Sequence, residues 1–463
     1  MQITPNLPEA YKLLHDGILA FSRAEQEGMR IDVDYCIRQK ARLDKKVSLL
    51  ENKIRKTKFY SHWERIFGAK SNPDSNWQLA HMLYAVKKIA PTKVTPSGKG
   101  ATDDEALSQI DLPEIKWLLE MRKLKKVRDT YLDAFLREQV DGYLHPFFNL
   151  HTVKTFRSSS ERINFQNIPK RDKEAMEITR KAIFPKPGHQ LFEVDYSGIE
   201  VRISTCYHHD PAMRKYIEDP TTDMHGDMAS QIFVVEDFER HKNGHGVLRS
   251  AAKNGFVFPQ FYGDYYVNCT ENMAIKWCGL SKGKWKSGEG IEFNDGYISD
   301  HLINQGINSY SKFESHVQKI EEDFWYRRFK VYSKWKERWW EKYQEDGYVS
   351  MYTGFKCGGI MRRNECINIP IQGSAFHCLL WSFIQIDRIS REENWKSRII
   401  GQIHDAMVLD VHPDELDMVA EVVHRVTCED LPKHWTWINV PLEIEAEVCP
   451  VDGSWNEKQD YKF

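Results

Sequence analysis

Two short apolar runs end on acidic residues, and they stand nearly half the chain apart. Leu191-Phe-Glu-Val-Asp195 reads as a strand ending at Asp195. Arg398–Val411 reads as two short strands around a polar tip, Gln402-Ile-His404-Asp405. Taken singly, each has a plain structural reading. Asp195 stands where a helix would start and could cap it, and His404-Asp405 could be turn chemistry.

Around these strands the pattern is helical. Leu43, Val47, Leu50 and Ile54 share one helical face. The opposite face carries Lys40, Arg42, Lys45, Lys46, Lys53, Arg55, Lys56 and Lys58. A second helix is predicted after Pro113, with Trp117, Met121, Leu124 and Arg128 on one side. A polar loop, Thr92 to Thr102, separates the two. Phe313, Val317, Ile320 and Phe324 repeat at helical spacing in a segment running past Trp340. Residues 264–311, rich in Gly, Asn and Lys, read as an irregular insertion. Ile371–Ile386 is a helix candidate and Val440–Val448 alternates as a strand. Two helical regions flanking short strands make an α+β protein, and 463 residues suggest roughly three lobes.

The 65 Lys+Arg and 67 Asp+Glu give a net charge of −2, which by itself argues against a nucleic-acid partner. The charge is zoned, however. Residues 154–186 hold nine Lys/Arg against four acids, the most basic stretch of the chain. No run approaches the roughly 20 apolar residues of a membrane span, and no leader pattern is visible at the start. The nine cysteines show no metal spacing, so buried free thiols are expected.

A third motif is Arg249-Ser-Ala-Ala-Lys253-Asn-Gly-Phe256-Val-Phe258-Pro-Gln-Phe-Tyr262-Gly263. Arg249 and Lys253 are i, i+4 and share a helical face. Carboxylates at strand ends, paired cations and flat rings together suit phosphoryl transfer to a nucleotide chain. Paired metal ions roughly 3.5–4 Å apart need carboxylates. A triphosphate needs Arg and Lys. A base needs a flat side chain to stack on.

These residues resemble the polymerase portion of family A DNA polymerases. Asp195-Tyr-Ser-Gly-Ile-Glu200 resembles the first palm motif, Arg249…Lys253…Tyr262-Gly263 the fingers-helix motif, and His404-Asp405 the second palm motif. Further support comes from Asp141-Gly-Tyr-Leu-His145…Arg157-Ser-Ser-Ser, Phe165-Gln-Asn-Ile-Pro-Lys-Arg171, Asp223-Met-His225 and Asn368-Ile-Pro-Ile-Gln372-Gly. The resemblance covers about residues 10–455, and the style of its insertion is similar to phage members.

The resemblance implies a right-hand polymerase fold with helical thumb and fingers and an antiparallel-sheet palm. Residues 1–150 would be thumb and connection to the palm. Residues 151–205 and 346–463 would be the two parts of the palm, and 206–345 the fingers with the insertion. Asp195 and Asp405 would hold two Mg2+ ions, with Mn2+ as a possible substitute. Arg249, Lys253 and His225 would grip a deoxynucleoside triphosphate. Lys253 would also join the two aspartates as a catalytic residue. Glu200 would exclude the ribose 2′-hydroxyl, and Tyr262 would cap the templating position. Arg157, Asn167, Asn368, Gln372 and His404 would contact primer–template DNA. The setting implied is cytoplasmic, the host cytoplasm for a phage protein, with no membrane partner.

Three positions depart from the family pattern. Gly198 replaces the usual Gln, and Ala406 replaces a usual third acid. The Lys253-to-Tyr262 spacing is one residue too long. Counted back from Tyr262, Phe258 is the sugar-facing aromatic; counted forward from Lys253, the position is Val257. A π-bulge or kink near Gly255–Pro259 is the expected way to absorb the extra residue. No proofreading exonuclease motif precedes the thumb: either the chain is a fragment, or proofreading sits on another polypeptide, or it is lacking, and a separate exonuclease or processivity factor would be a further partner. The competing readings are a catalytically inactive polymerase-like DNA-binding protein and a metal-dependent nuclease. The latter would need a second acidic cluster.

Overall fold

The structure, a computed structural model, describes residues 3–95, 97–169 and 172–463. Met1, Gln2, Pro96, Lys170 and Arg171 lie outside them. Pro96 belongs to the predicted loop, and Lys170 and Arg171 to the basic stretch counted above.

Five strands form the principal sheet: β1 (Gln190–Tyr196), β2 (Arg398–Ile403), β3 (Ala406–Val411), β4 (Ile444–Val448) and β5 (Gln459–Tyr461). Their order is β2-β3-β1-β4-β5, antiparallel throughout. Side chains alternate between the two faces of a strand, and here the faces feed two different cores. Phe192, Val194, Met407 and Leu409 enter one core; Leu191, Ile400 and Val408 enter the other. Burial on both sides is why these strands read as near-continuous apolar runs.

The second core belongs mainly to an N-terminal helical lobe. In its helix Val33–Arg55, Leu43, Val47 and Ile54 are buried, as their spacing predicts. Each such residue contributes on the order of 1.5–3 kcal/mol by leaving water. The helix Pro113–Lys126 differs from expectation. Its buried stripe is Ile115, Leu118, Met121 and Leu124. Trp117 is turned aside, and the Lys53 ammonium lies 4.0 Å over its ring. Arg128 falls past the helix end, in a π turn, and pairs with Asp44 at 2.9 Å. Several of the basic residues are likewise paired: Lys46 with Glu174 at 3.2 Å, Lys123 with Asp172 at 2.9 Å, Lys125 with Asp74 at 2.6 Å. Lys45, Lys56, Lys58 and Lys126 stay exposed.

The first helix, Leu7–Glu27, joins the other core. Arg23 forms a bidentate pair with Asp387 of the long helix Arg363–Glu392, at 3.0 and 2.6 Å. Phe21 packs on Phe148 and Phe383. That long helix extends the predicted Ile371–Ile386 segment in both directions.

Residues 206–345 are mainly helical, with two corrections. The helical segment predicted to run past Trp340 is interrupted by a π turn at Phe324–Arg328 and restarts at Lys330. The stretch 264–311 is not irregular throughout. It holds helices at Tyr266–Glu271 and Ile298–Asn304 and a two-stranded ladder, Glu292–Phe293 with Gly296–Tyr297. Sparse apolar anchors, among them Leu280, Trp285, Phe293 and Leu302, are each almost fully buried. They are too widely spaced to show a period in sequence. Val440–Val448 forms a strand only from Ile444.

All nine cysteines are free and eight are buried. Among the described residues no helix is long and apolar enough to cross a membrane.

Candidate active site

Asp195 is the penultimate residue of β1 and pairs with Ala406 on β3 and Glu445 on β4. It does not cap the following helix; Gly198 occupies that position in a left-handed conformation, φ 60°. The hairpin tip is strained in the same sense, His404 having φ 54°. The Gln402 amide donates to the His404 carbonyl, and the Tyr196 amide donates to the Asp405 carbonyl at 3.3 Å. These bonds hold the tip against the end of β1, so Asp195 and Asp405 line one cleft. Ala406 stands opposite Asp195, where a third acid would have neighboured it. Among the described residues no group of three or more His, Cys, Asp or Glu side chains is placed to hold an ion. Asp195 and Asp405 are the two aspartates that line this cleft.

The same cleft gathers Arg157, Glu200, Phe258, Tyr262, Asn368, Gln372 and His404. Glu200 lies in the first turn of the helix Ile199–His208 and accepts hydrogen bonds from Arg157 and from the Tyr262 hydroxyl. Burial raises the Tyr262 phenol above its ordinary value; Arg157 opposes this and Asp405 adds to it. Asn368 and Gln372, i and i+4 on the long helix, share a face. Asn368 donates to the Tyr262 carbonyl at 3.2 Å, and Asn364 donates to the Gly263 carbonyl at 3.1 Å.

The extra residue of the fingers motif is absorbed as expected. His245–Ala252 is α-helical, Lys253–Val257 is a π segment, and Phe258–Phe261 resumes α. The Phe258 amide donates to the Lys253 carbonyl, five residues back. Pro259 follows close on the π segment and has no N–H to donate back into it. Val257 and Phe256 are fully buried, while Phe258 faces the cleft. Counting back from Tyr262 is thus the register the chain adopts.

His225, Arg249 and Lys253 are grouped behind Phe258 and do not line the cleft. The His225 ring meets Phe258 edge-on at 5.7 Å, and the Lys253 ammonium is 5.4 Å from that ring. Arg249 is held by Asp223 at 2.6 and 2.8 Å. Burial, then the Lys253 and Arg249 charges, push His225 down to about 4. Asn167 lies apart, exposed at the end of the 3-10 turn Phe165–Asn167, its carbonyl accepting from Tyr131 at 2.6 Å. Sequence reasoning missed Ser158 and Gln402, joined at 2.6 Å beneath the hairpin tip, and Gln260 on the fingers helix. Each is an ordinary polar residue until its distant partner is known.

Two aspartates thus stand at one end of the antiparallel sheet, and Phe258, from the helical segment that carries Arg249 and Lys253, lines the same cleft. Residues 34–457 match the model of DNA polymerase family A, and the chain belongs to that family. It is 27% identical over 416 residues to DNA polymerase I of Chloroflexus aurantiacus, covering 85% of this chain and 38% of that protein. It is 24% identical over 452 residues to DNA polymerase I of Geobacillus stearothermophilus, covering 94% and 44%. The chain thus spans less than half the length of these relatives. Among solved structures it is similar to the POL domain of Pol1 from M. smegmatis in complex with DNA primer-template and dNTP. There the TM-score is 0.71 and the identity 21%, covering 95% of this chain and 70% of that one. The likeness supports the α+β right-hand fold.

Proposed function

We propose that this chain is a DNA-templated DNA polymerase that adds deoxynucleotides to a primer 3′-hydroxyl. The observation that carries the reading is the convergence of nine separately predicted residues, from Arg157 to Asp405, on one cleft. Residues 1–150 serve as thumb and connection to the palm, 151–205 and 346–463 as the two parts of the palm, and 206–345 as fingers.

Asp195 and Asp405 would hold two divalent cations, Mg2+ or Mn2+, which when bound activate the primer hydroxyl and neutralise the leaving pyrophosphate. Arg249, Lys253 and His225 receive the triphosphate behind Phe258. Asp223 aims the Arg249 guanidinium there. Lys253, its ammonium 5.4 Å from the Phe258 ring, stabilises charge on the leaving group. Phe258 packs on the sugar, and Glu200 crowds its 2′ position. Tyr262 caps the templating base. Arg157, Asn368, Gln372 and His404 contact the primer–template beside the cleft, and Asn167 contacts it nearer the thumb. We assign no proofreading exonuclease activity to the described residues.

A primed template, Mg2+ and four deoxynucleotides test the reading. Templated extension of the primer is the expected result. Protein that binds primed DNA and adds nothing contradicts it and favours an inactive DNA-binding role.

A further inference from the structure

The helix Phe258–Phe261 is a single turn that follows a π break, yet it must aim Phe258 and the adjoining Tyr262 at the cleft. The π segment interrupts the regular hydrogen-bond ladder just before it, so the rotation of this last turn depends on what its side chains hold. Its only polar side chain is Gln260, which is 1% exposed and points away from the cleft. The Gln260 amide nitrogen donates to Glu321 Oε2 at 2.6 Å and also faces Cys269 Sγ at 3.5 Å. Its carbonyl oxygen accepts from Trp325 Nε1 at 2.6 Å.

The two main partners differ in kind. An indole N–H can only donate and a carboxylate can only accept. The Gln260 amide therefore has one orientation, and the turn that carries it has one rotation. Both partners are rigidly mounted. Glu321 lies in the helix Tyr310–Asp323, and Trp325 lies in the π turn Phe324–Arg328. Phe256 and Phe261 flank the amide and pack on Phe324 at 5.4 and 5.6 Å.

We propose that Gln260 is a positioning residue. Its clamp on Trp325 and Glu321 fixes Phe258 and Tyr262 over the cleft and so sets nucleotide affinity and selectivity. This rests on the polymerase reading above, and two measurements keep the two claims apart. Deoxynucleotide KM and kcat on a primed template are read together with amide hydrogen exchange over residues 258–264. The variants are Gln260→Leu, Gln260→Glu, and Gln260→Glu combined with Glu321→Gln.

Gln260→Leu is expected to raise KM roughly tenfold or more, with a smaller change in kcat, as displaced pocket walls do. Exchange over 258–264 should quicken in parallel. Gln260→Glu sets two carboxylates together and should behave likewise. The double substitution leaves the Trp325 indole donating to position 260 and reverses only the 260–321 bond, so it should restore KM and protection. A purely structural residue would lower thermal stability and active fraction while leaving KM unmoved. An unchanged KM in either single variant overturns the proposal. So does a double variant that regains stability but not KM. Unchanged exchange overturns it even in protein that extends no primer, whereas a wild type that fails to extend while the exchange pattern holds defeats only the polymerase reading.

Discussion

The Tyr262 hydroxyl donates to Glu200, and the same carboxylate accepts from Arg157. Residues from three separate segments thus meet on one side chain in the cleft. A hydrogen bond to a charged group is worth about 1.5–3 kcal/mol, so Glu200 is held in one rotamer.

Glu200→Ala should therefore raise ribonucleotide incorporation, read as the ratio of kcat/KM for ribo- over deoxynucleotides. Tyr262→Phe should move the ratio the same way by less, because it frees the carboxylate without removing it. The double variant should match Glu200→Ala alone, since both act through one group. Unchanged discrimination in Glu200→Ala would show that the sugar is sensed elsewhere.

The π segment and Pro259 are matched to each other. Deleting the exposed Asn254 should convert Lys253–Val257 to α-helix and leave Pro259 in a helix interior. There its ring clashes with the preceding turn, at a cost of about 3 kcal/mol. Thermal unfolding should show that loss in the deletion alone. Adding Pro259→Ala to the deletion should recover most of it.

Gly198 has room for a side chain, with nothing within 4 Å of an added Cβ, but its φ is +60°. Gly198→Ala should lower stability by about 1–2 kcal/mol from backbone strain alone. Because the residue caps the helix bearing Glu200, ribonucleotide discrimination should weaken in the same variant.

Three histidines make the fold sensitive to acid. Burial lowers His225 to about 4 and His377 to about 3, and holds His208 well below its ordinary value. The unfolded chain protonates them near pH 6.5. Between pH 6.5 and about 3 it binds more protons than the folded one, so stability is full above that window and falls as pH drops through it. Thermal midpoints measured from pH 7.5 down to 4.5 should decline, and His377→Gln should flatten the decline. His377 is the clearest case, stacked 4.0 Å from Phe355 and bonded to Thr353 at 2.7 Å.

Much of the site could be read in the sequence because its parts are local. Asp195 and Asp405 each close a short apolar run, and the strand then delivers the carboxylate. The π bulge followed from one surplus residue between Lys253 and Tyr262, with Pro259 marking where it could sit. Other features depend on packing between distant segments. Trp117 was expected inward, but the stripe led by Ile115 fits the facing helix better. The anchors of 264–311 have no period, so their burial could not be counted. Gln260 acquires its role only when Glu321 and Trp325, some sixty residues on, fold back over it.

The central claim is that Asp195 and Asp405 form the catalytic carboxylate pair of a DNA polymerase. Single-turnover addition of one correct deoxynucleotide to a primed template tests it most directly, comparing wild type with Asp195→Asn and Asp405→Asn at equal DNA occupancy. The account predicts rapid addition by the wild type, with loss of several orders of magnitude in each variant and primer–template affinity little changed. Variants that add the nucleotide at near wild-type rates, or a wild type that binds the primed DNA and adds nothing, would contradict it.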